Sequence, residues 1–408
     1  ATFTFTLDDP DKTQNVTYIY PATMAGETDV DYTKLNSQEG TLTDLGKKYD
    51  LCTLSDEWDG GNLPIGTLEN QLAILAVTLK DNATGAGITD EITGLTIFDG
   101  TNTYNVSRSA VAEPIYVAIR PTSSASISIT ATDGTNNYVK YLTDKTYAEN
   151  KGYSVTWLMT IPMFTVGMNG GTPKKVQVAK GNVQATYDGY SWTWGIAEHQ
   201  WDRIGNAWGN TEVRNGSLAQ HGTVDLFGWV GASSSLTEAE TYGITYRTSG
   251  YGNSATESLK SDWGTKIGTG WRTPTKDEWT YLFLSRESGS TVNGTSNARY
   301  AHATINTDAT SVNGMILFPD GVTIASDVVT TWGAINTKTA WATKCTAAQW
   351  ATLAAKGCVF LPAAGYRSTQ SVIYNVSDGG YYWSSSSDPS EVSKAYTMYF
   401  KSGALETA

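Results

Sequence analysis

Thr269-Gly270-Trp271-Arg272-Thr273-Pro274-Thr275-Lys276-Asp277-Glu278-Trp279 reads as a helix start with complete punctuation. Thr275 is placed to cap the helix, and Glu278, three residues on, closes a capping box. Pro274 and Trp279 hold the two staple positions, so apolar contact fixes the angle at which the chain enters. Trp279, Leu282 and Phe283 follow at i, i+3 and i+4, the stripe of a half-buried helix. The spacing predicts a helix over 275–286. A second helix carries the same marks. Thr346 and Gln349 form its box, Trp350, Leu353 and Ala354 its stripe, and Gly357 its stop.

Cys345 and Cys358 bracket that second helix. Helical rise between them sets the two sulfurs roughly 18–20 Å apart, whereas a disulfide needs Cα atoms within about 7 Å. Cys52 stands alone, and three cysteines make no disulfide framework. All three are predicted to be free thiols.

Beyond these helices the composition favours strands and long ordered loops. Tyr (23) and Trp (14) far outnumber Phe (9), and Gly reaches 40. The net charge of −12 argues against nucleic acid and anionic membrane as partners. The longest apolar run, Leu72 to Leu79, falls far short of the ~20 residues that span a bilayer. The chain enters a strand pattern directly from Ala1, with no signal peptide, so a processed mature form is expected.

A break falls near residue 163. Residues 1–162 hold 21 acidic and 10 basic side chains, whereas 163–408 hold 19 and 18, and 12 of the 14 tryptophans follow the break. Two units built on different principles are the simplest account. The first, 1–162, alternates as strands do: Phe3, Phe5, Leu7; Val16, Tyr18, Tyr20; then 72–79, 95–98, 115–119, 127–130 and 153–157. Asp99-Gly100 and Asp133-Gly134 mark turns between them. About seven strands at this spacing predict a β-sandwich. The second, 163–408, mixes short strands, a few helices and irregular chain, an α+β pattern. Its tryptophans sit in polar, Gly-rich surroundings, as bulky residues do when they pin long loops to a small core. Met163 to Pro173 reads as linker or first turn.

The second unit resembles the bacterial C-type-lectin-like domains related in fold to the formylglycine-generating-enzyme family, in particular the Fibrobacter major paralogous domain. The matching pieces come in order: Lys180-Gly-Asn-Val-Gln184; Trp194 with Ala197-Glu-His-Gln-Trp-Asp202; Val224-Asp-Leu-Phe-Gly-Trp229; Asp262-Trp-Gly264; Trp271 to Trp279; Val359 to Arg367; Gly380-Tyr-Tyr-Trp-Ser-Ser385; and Ala395-Tyr-Thr-Met-Tyr-Phe400. The first unit resembles, more loosely, the N-terminal β-sandwich of Bacteroidales fimbrillins, the type V pilins, through its strand pattern and its ending Lys151 to Trp157. The resemblance implies a pilus subunit exported to the cell surface, trimmed at its N-terminus, and docked to a neighbouring pilin by donor-strand exchange. A lectin-like domain stands where stalk pilins carry a second sandwich with a donor strand, which implies a place at the fibre tip.

Catalysis is not expected. His199, His221 and His302 are widely separated and lack ligand spacing, and there is no Gly-x-Ser-x-Gly elbow or Walker-type loop. The family's catalytic cysteines near the last strands have no counterpart here. Asp308, Asp320 and Asp327 in the long loop, and Asp378 and Asp388 beside the terminal hairpin, are hard oxygen donors of the kind that hold Ca²⁺. Aspartate in loops is more often a turn former, so no cofactor is expected, with Ca²⁺ as the alternative. Loop aromatics make better ligand contacts, because a sugar ring stacks its C–H face on an indole. The candidate ligand-binding residues are Trp332, Trp341, Tyr366, Arg367, Asp378 and Asp388. The expected function is a fimbrial tip adhesin that binds a surface glycan or protein. The alternative is a structural or anchoring cap without a ligand.

Overall fold

A computed structural model describes residues 14–20, 31–49, 51–58, 66–188, 192–205, 213–214, 217–218, 222–227, 229, 262–339, 341–369, 372–388 and 395–407. It is β-rich, at 50 % strand and 12 % helix, and is built of small sheets rather than one continuous one. The chain separates into two compact units. One comprises 1–134 and 140–160, the other 135–139 and 161–408.

The first unit begins with β1 (Gln14–Tyr20), α1 (Leu42–Lys48), β2 (Cys52–Trp58) and β3 (Glu69–Asn70). It continues with β4 (Ala73–Asp81), β5 (Gly94–Phe98), β6 (Thr103–Ser107), β7 (Ile115–Ile119), β8 (Thr122–Thr132), β9 (Asn137–Tyr147) and β10 (Lys151–Met159). The strands predicted from alternation over 95–98, 115–119, 127–130 and 153–157 all form. The alternating Phe3, Phe5 and Leu7 lie outside the described residues. One sheet runs β10-β4-β7 and another β6-β5-β8-β9. In β4 the side chains of Ala73, Leu75, Val77 and Leu79 are fully buried, one residue in two, as the pleat requires. Asp99 forms the predicted turn, its carboxylate accepting from the Thr101 and Asn102 N–H groups.

The two edges of the β10-β4-β7 sheet differ. Gln38 covers β7: its side-chain oxygen accepts from the Ala118 N–H and its amide donates to the Ala118 carbonyl, both at 2.8 Å. Its backbone pairs with β6 through Asn105 and Ser107. Gln38 therefore stitches β6 to β7. On β10, by contrast, the side away from β4 carries no strand among the described residues. Trp157 and Met159 point inward while Leu158 is 43 % exposed.

The second unit opens with a hairpin, β11 (Phe164–Asn169) and β12 (Thr172–Val176), turning on Gly170-Gly171. Of the two readings of 163–173, linker or first turn, the stretch forms the first hairpin and its turn. Phe164 and Val166 are buried in one apolar cluster with Trp279, Phe283, Met315 and Phe400. Two inward side chains suffice to make a short core strand, and the glycines hide that signal. β13 (Val183–Tyr187), β14 (Trp192–Ile196) and β15 (Gly222–Val224) form a small sheet.

The helix predicted at 275 starts there. α2 (Lys276–Thr280) has both bonds of its capping box, and a single π-type turn over 281–285 extends it. Trp279, Leu282 and Phe283 are the buried stripe. Beyond it, β16 (Tyr300–Asn306), β17 (Ser311–Leu317), β18 (Thr343–Thr346) and β19 (Val359–Pro362) make a sheet in the order β18-β16-β17-β19. α3 (Ala347–Ala355) joins β18 to β19 with the predicted Thr346 and Gln349 box, and Gly357 comes next at φ +88°. Every residue from Tyr300 to Ile305 is buried, so β16 is covered on both faces. The chain ends in β20 (Tyr366–Thr369), β21 (Val372–Tyr374), β22 (Gly379–Ser387), β23 (Ala395–Lys401) and β24 (Ala404–Thr407).

Cys52, Cys345 and Cys358 are free thiols. Cys345 and Cys358 nevertheless share one core cluster, because the chain turns back after Gly357 into the same sheet. Burial pushes both thiols up, Cys345 to about 12.

Candidate functional site

A cavity of about 970 Å³ lies in the second unit, within the size range of small-ligand sites. Trp229, Trp271, Tyr366, Tyr381, Tyr382 and Trp383 supply much of its aromatic wall, and Arg272, Glu278 and Arg367 its principal charges. Three indoles fix this wall by donating to carbonyls of remote segments. Trp229 Nε1 donates to Ser384 O at 2.9 Å, Trp279 Nε1 to Trp383 O at 3.1 Å, and Trp383 Nε1 to Phe227 O at 2.8 Å. The tryptophans thus tie the 225–229 segment and α2 to β22, as their polar surroundings suggested.

The segment before α2 is held just as firmly. The Asp262 carboxylate accepts from the N–H groups of Gly264 and Thr273 and from the Thr273 hydroxyl. A side chain on Gly264 would place its Cβ 2.4 Å from the Arg272 Cα, so only glycine permits this approach. Arg272 then forks onto Glu278 with two bonds of 2.6 Å. Lys174 adds an ion pair at 2.7 Å. Burial alone would raise the Glu278 carboxyl; the Arg272 fork, Lys174 and the Thr275 N–H outweigh it and hold it down at about 2.

Of the six candidate ligand-binding residues, Tyr366 and Arg367 line the cavity. Arg367 donates to the carbonyls of Leu226 and Asp225, and burial lowers its guanidinium to about 10. Trp332 packs against the core cluster around Ile305 and Phe360, with its Nε1 donating to Ser326 O at 3.0 Å. Trp341 lies against the cluster around Phe400 and stacks on His302 at 5.2 Å. Asp378 is exposed in the turn between β21 and β22, and Asp388 comes just after β22, half-buried. None of these last four lines the cavity.

Among the loop aspartates, Asp320 accepts from Arg286, Thr165 and Ser288. Among the described residues, no three His, Cys, Asp or Glu side chains gather as a metal set. His199 bonds Asp202 and stacks on Trp201, and His221 lies outside the described residues. The residues that sequence reasoning missed are Tyr374, Tyr381 and Tyr399. Tyr381 and Tyr399 pair across β22 and β23, a neighbourhood that only the strand register reveals.

No protein-family model matches the chain, and neither a curated protein nor a solved structure matches it.

Proposed function

We propose that the protein is an adhesive subunit of a surface fimbria, a pilin-like β-sandwich joined to a C-type-lectin-like ligand-binding domain. The observation that carries this reading is the aromatic cavity of the second unit. Its walls come from remote segments locked by indole-to-carbonyl bonds, which preorganises a site. The docking half rests on β10, whose outer edge has no strand partner among the described residues and so suits strand addition. Retention of the full chain on an array of glycans and extracellular-matrix proteins tests the reading. Specific retention is expected. No retention on any arm would leave only a structural cap.

A further inference from the structure

Four tyrosines stand in line beside the cavity. Tyr366 and Tyr374 are cross-strand partners on β20 and β21, and Tyr381 and Tyr399 on β22 and β23. Ring centroids step 5.7 Å from Tyr374 to Tyr366, 4.7 Å on to Tyr381 and 4.6 Å on to Tyr399. The backbone builds this line. A bridge between Gly365 and Gly380 joins the two hairpins. Gly365 has φ +80°, and a Cβ there would sit 2.2 Å from Tyr374 O, so the junction closes only with glycine. The Asn375 amide donates to Tyr381 Oη at 2.7 Å. Tyr374 is 50 % exposed at one end, and Tyr366 and Tyr381 continue into the cavity wall.

Apart from Lys175, whose side chain is exposed at the wall, the charges of the wall are matched internally. Arg272 pairs with Glu278, which also takes an ion pair from Lys174. Arg367 is matched by backbone carbonyls, and Asp225 accepts from the Ile204 N–H. A charged ligand that engaged one of the paired groups would have to draw it from its partner, leaving the other buried and unpaired at high cost. What remains on offer is ring surface, phenol hydroxyl and, at the wall, the Lys175 ammonium, a donor to sugar hydroxyls. A pyranose presents the complement, an apolar C–H face with a rim of hydroxyls. We propose that the tyrosine line and the adjoining cavity bind an uncharged carbohydrate, without a bridging cation.

This rests on the ligand-binding reading above, and the test separates the two. The full chain is passed over immobilised neutral hexose and N-acetylhexosamine oligosaccharides, their sialylated and sulfated counterparts, and matrix proteins, all in EDTA and again in Ca²⁺. The expected result is retention on the neutral glycans in EDTA, weakened about tenfold by Tyr374→Ala and by Tyr381→Phe. Tyr374 is half exposed and Tyr381→Phe keeps the ring, so both variants should fold. Retention only on acidic glycans, only on proteins or only in Ca²⁺ would overturn this inference while sparing the ligand-binding reading. So would retention that neither substitution weakens. No retention on any arm would overturn both.

Discussion

His302 occupies the middle of β16 with 2 % exposure, and neither ring nitrogen has a hydrogen-bond partner. Its neighbours are rings: Trp341 stacked at 5.2 Å, Phe400 at 6.0 Å and Tyr300 at 6.3 Å, of which only Tyr300 titrates. Burial lowers the imidazole from 6.5 to about 4. The folded protein therefore holds it neutral, while the unfolded chain takes up a proton near 6.5. The resulting stability is fully present above pH 6.5 and is lost as pH falls towards 4, a difference of about 3 kcal/mol. Melting of the second unit between pH 7.5 and 4 should show this slope, and His302→Phe should flatten it. Equal slopes in both proteins would refute the assignment. Nothing in the sequence marked His302, because its setting is made by Trp341 and Phe400 from distant strands. Tyr366 and Arg367, singled out in the sequence as an aromatic and a planar cation, line the cavity. Tyr381 and Tyr399 were not singled out, because a cross-strand pair shows only once the register is known.

The helix starts were the most legible elements, because a capping box is a code four residues long. Thr275 with Glu278 and Thr346 with Gln349 form the boxes that their spacing predicts. The π-type turn at the end of α2 was hidden. It spans 281–285 and closes with an Arg286 N–H to Tyr281 O bond of 2.8 Å, five residues back, and no residue pattern announced it. Arg286 then runs fully buried to Asp320 and to the carbonyls of Phe318 and Arg299. α2 serves the cavity by position. Its Trp279 holds β22, and its Glu278 anchors Arg272. Thr275→Ala should cost about 0.5–2 kcal/mol through the lost cap. Trp279→Ala should cost about 3–5 kcal/mol through the void and the lost bond to Trp383. Denaturant titration measures both. The molecules that still fold should keep their ligand preference on the array, and a changed preference at unchanged stability would make α2 a contact element. β11 was left open between linker and first turn for the opposite reason: its glycines mark a turn, while Phe164 and Val166 carry too short an apolar signal to mark a strand.

Each unit poses its own physical problem, and the outer edge of β10 in the first bears on the proposed docking to a fibre. Strand edges are normally paired, covered or blunted, because bare N–H and C=O groups invite another strand. The protein obeys this rule on β7, where Gln38 covers the edge with side chain and backbone together. It leaves β10 without a strand on its outer side among the described residues. That contrast is informative because β10 is nine residues long and keeps Trp157 and Met159 buried beside that edge. The strand over 153–157 was plain in the sequence. That β10 would pair with β4 and, among the described residues, with no other strand was not, since pairing is decided by the whole sheet. A ten-residue strand peptide with alternating apolar side chains, copied from the donor strand of a partner pilin, should add to β10 in the full chain. At a free concentration of about 100 times its Kd it should stabilise the first unit by ~2.7 kcal/mol, seen as a rise in that unit's melting transition. The transition of the second unit should not move, because its cavity is built from segments that the peptide does not touch. Hydrogen exchange should slow across 151–159, where new backbone bonds form. A scrambled peptide should do neither. If the true strand leaves both the melting and the exchange of β10 unchanged, strand addition at this edge fails, and attachment to a fibre would need a different surface of the first unit.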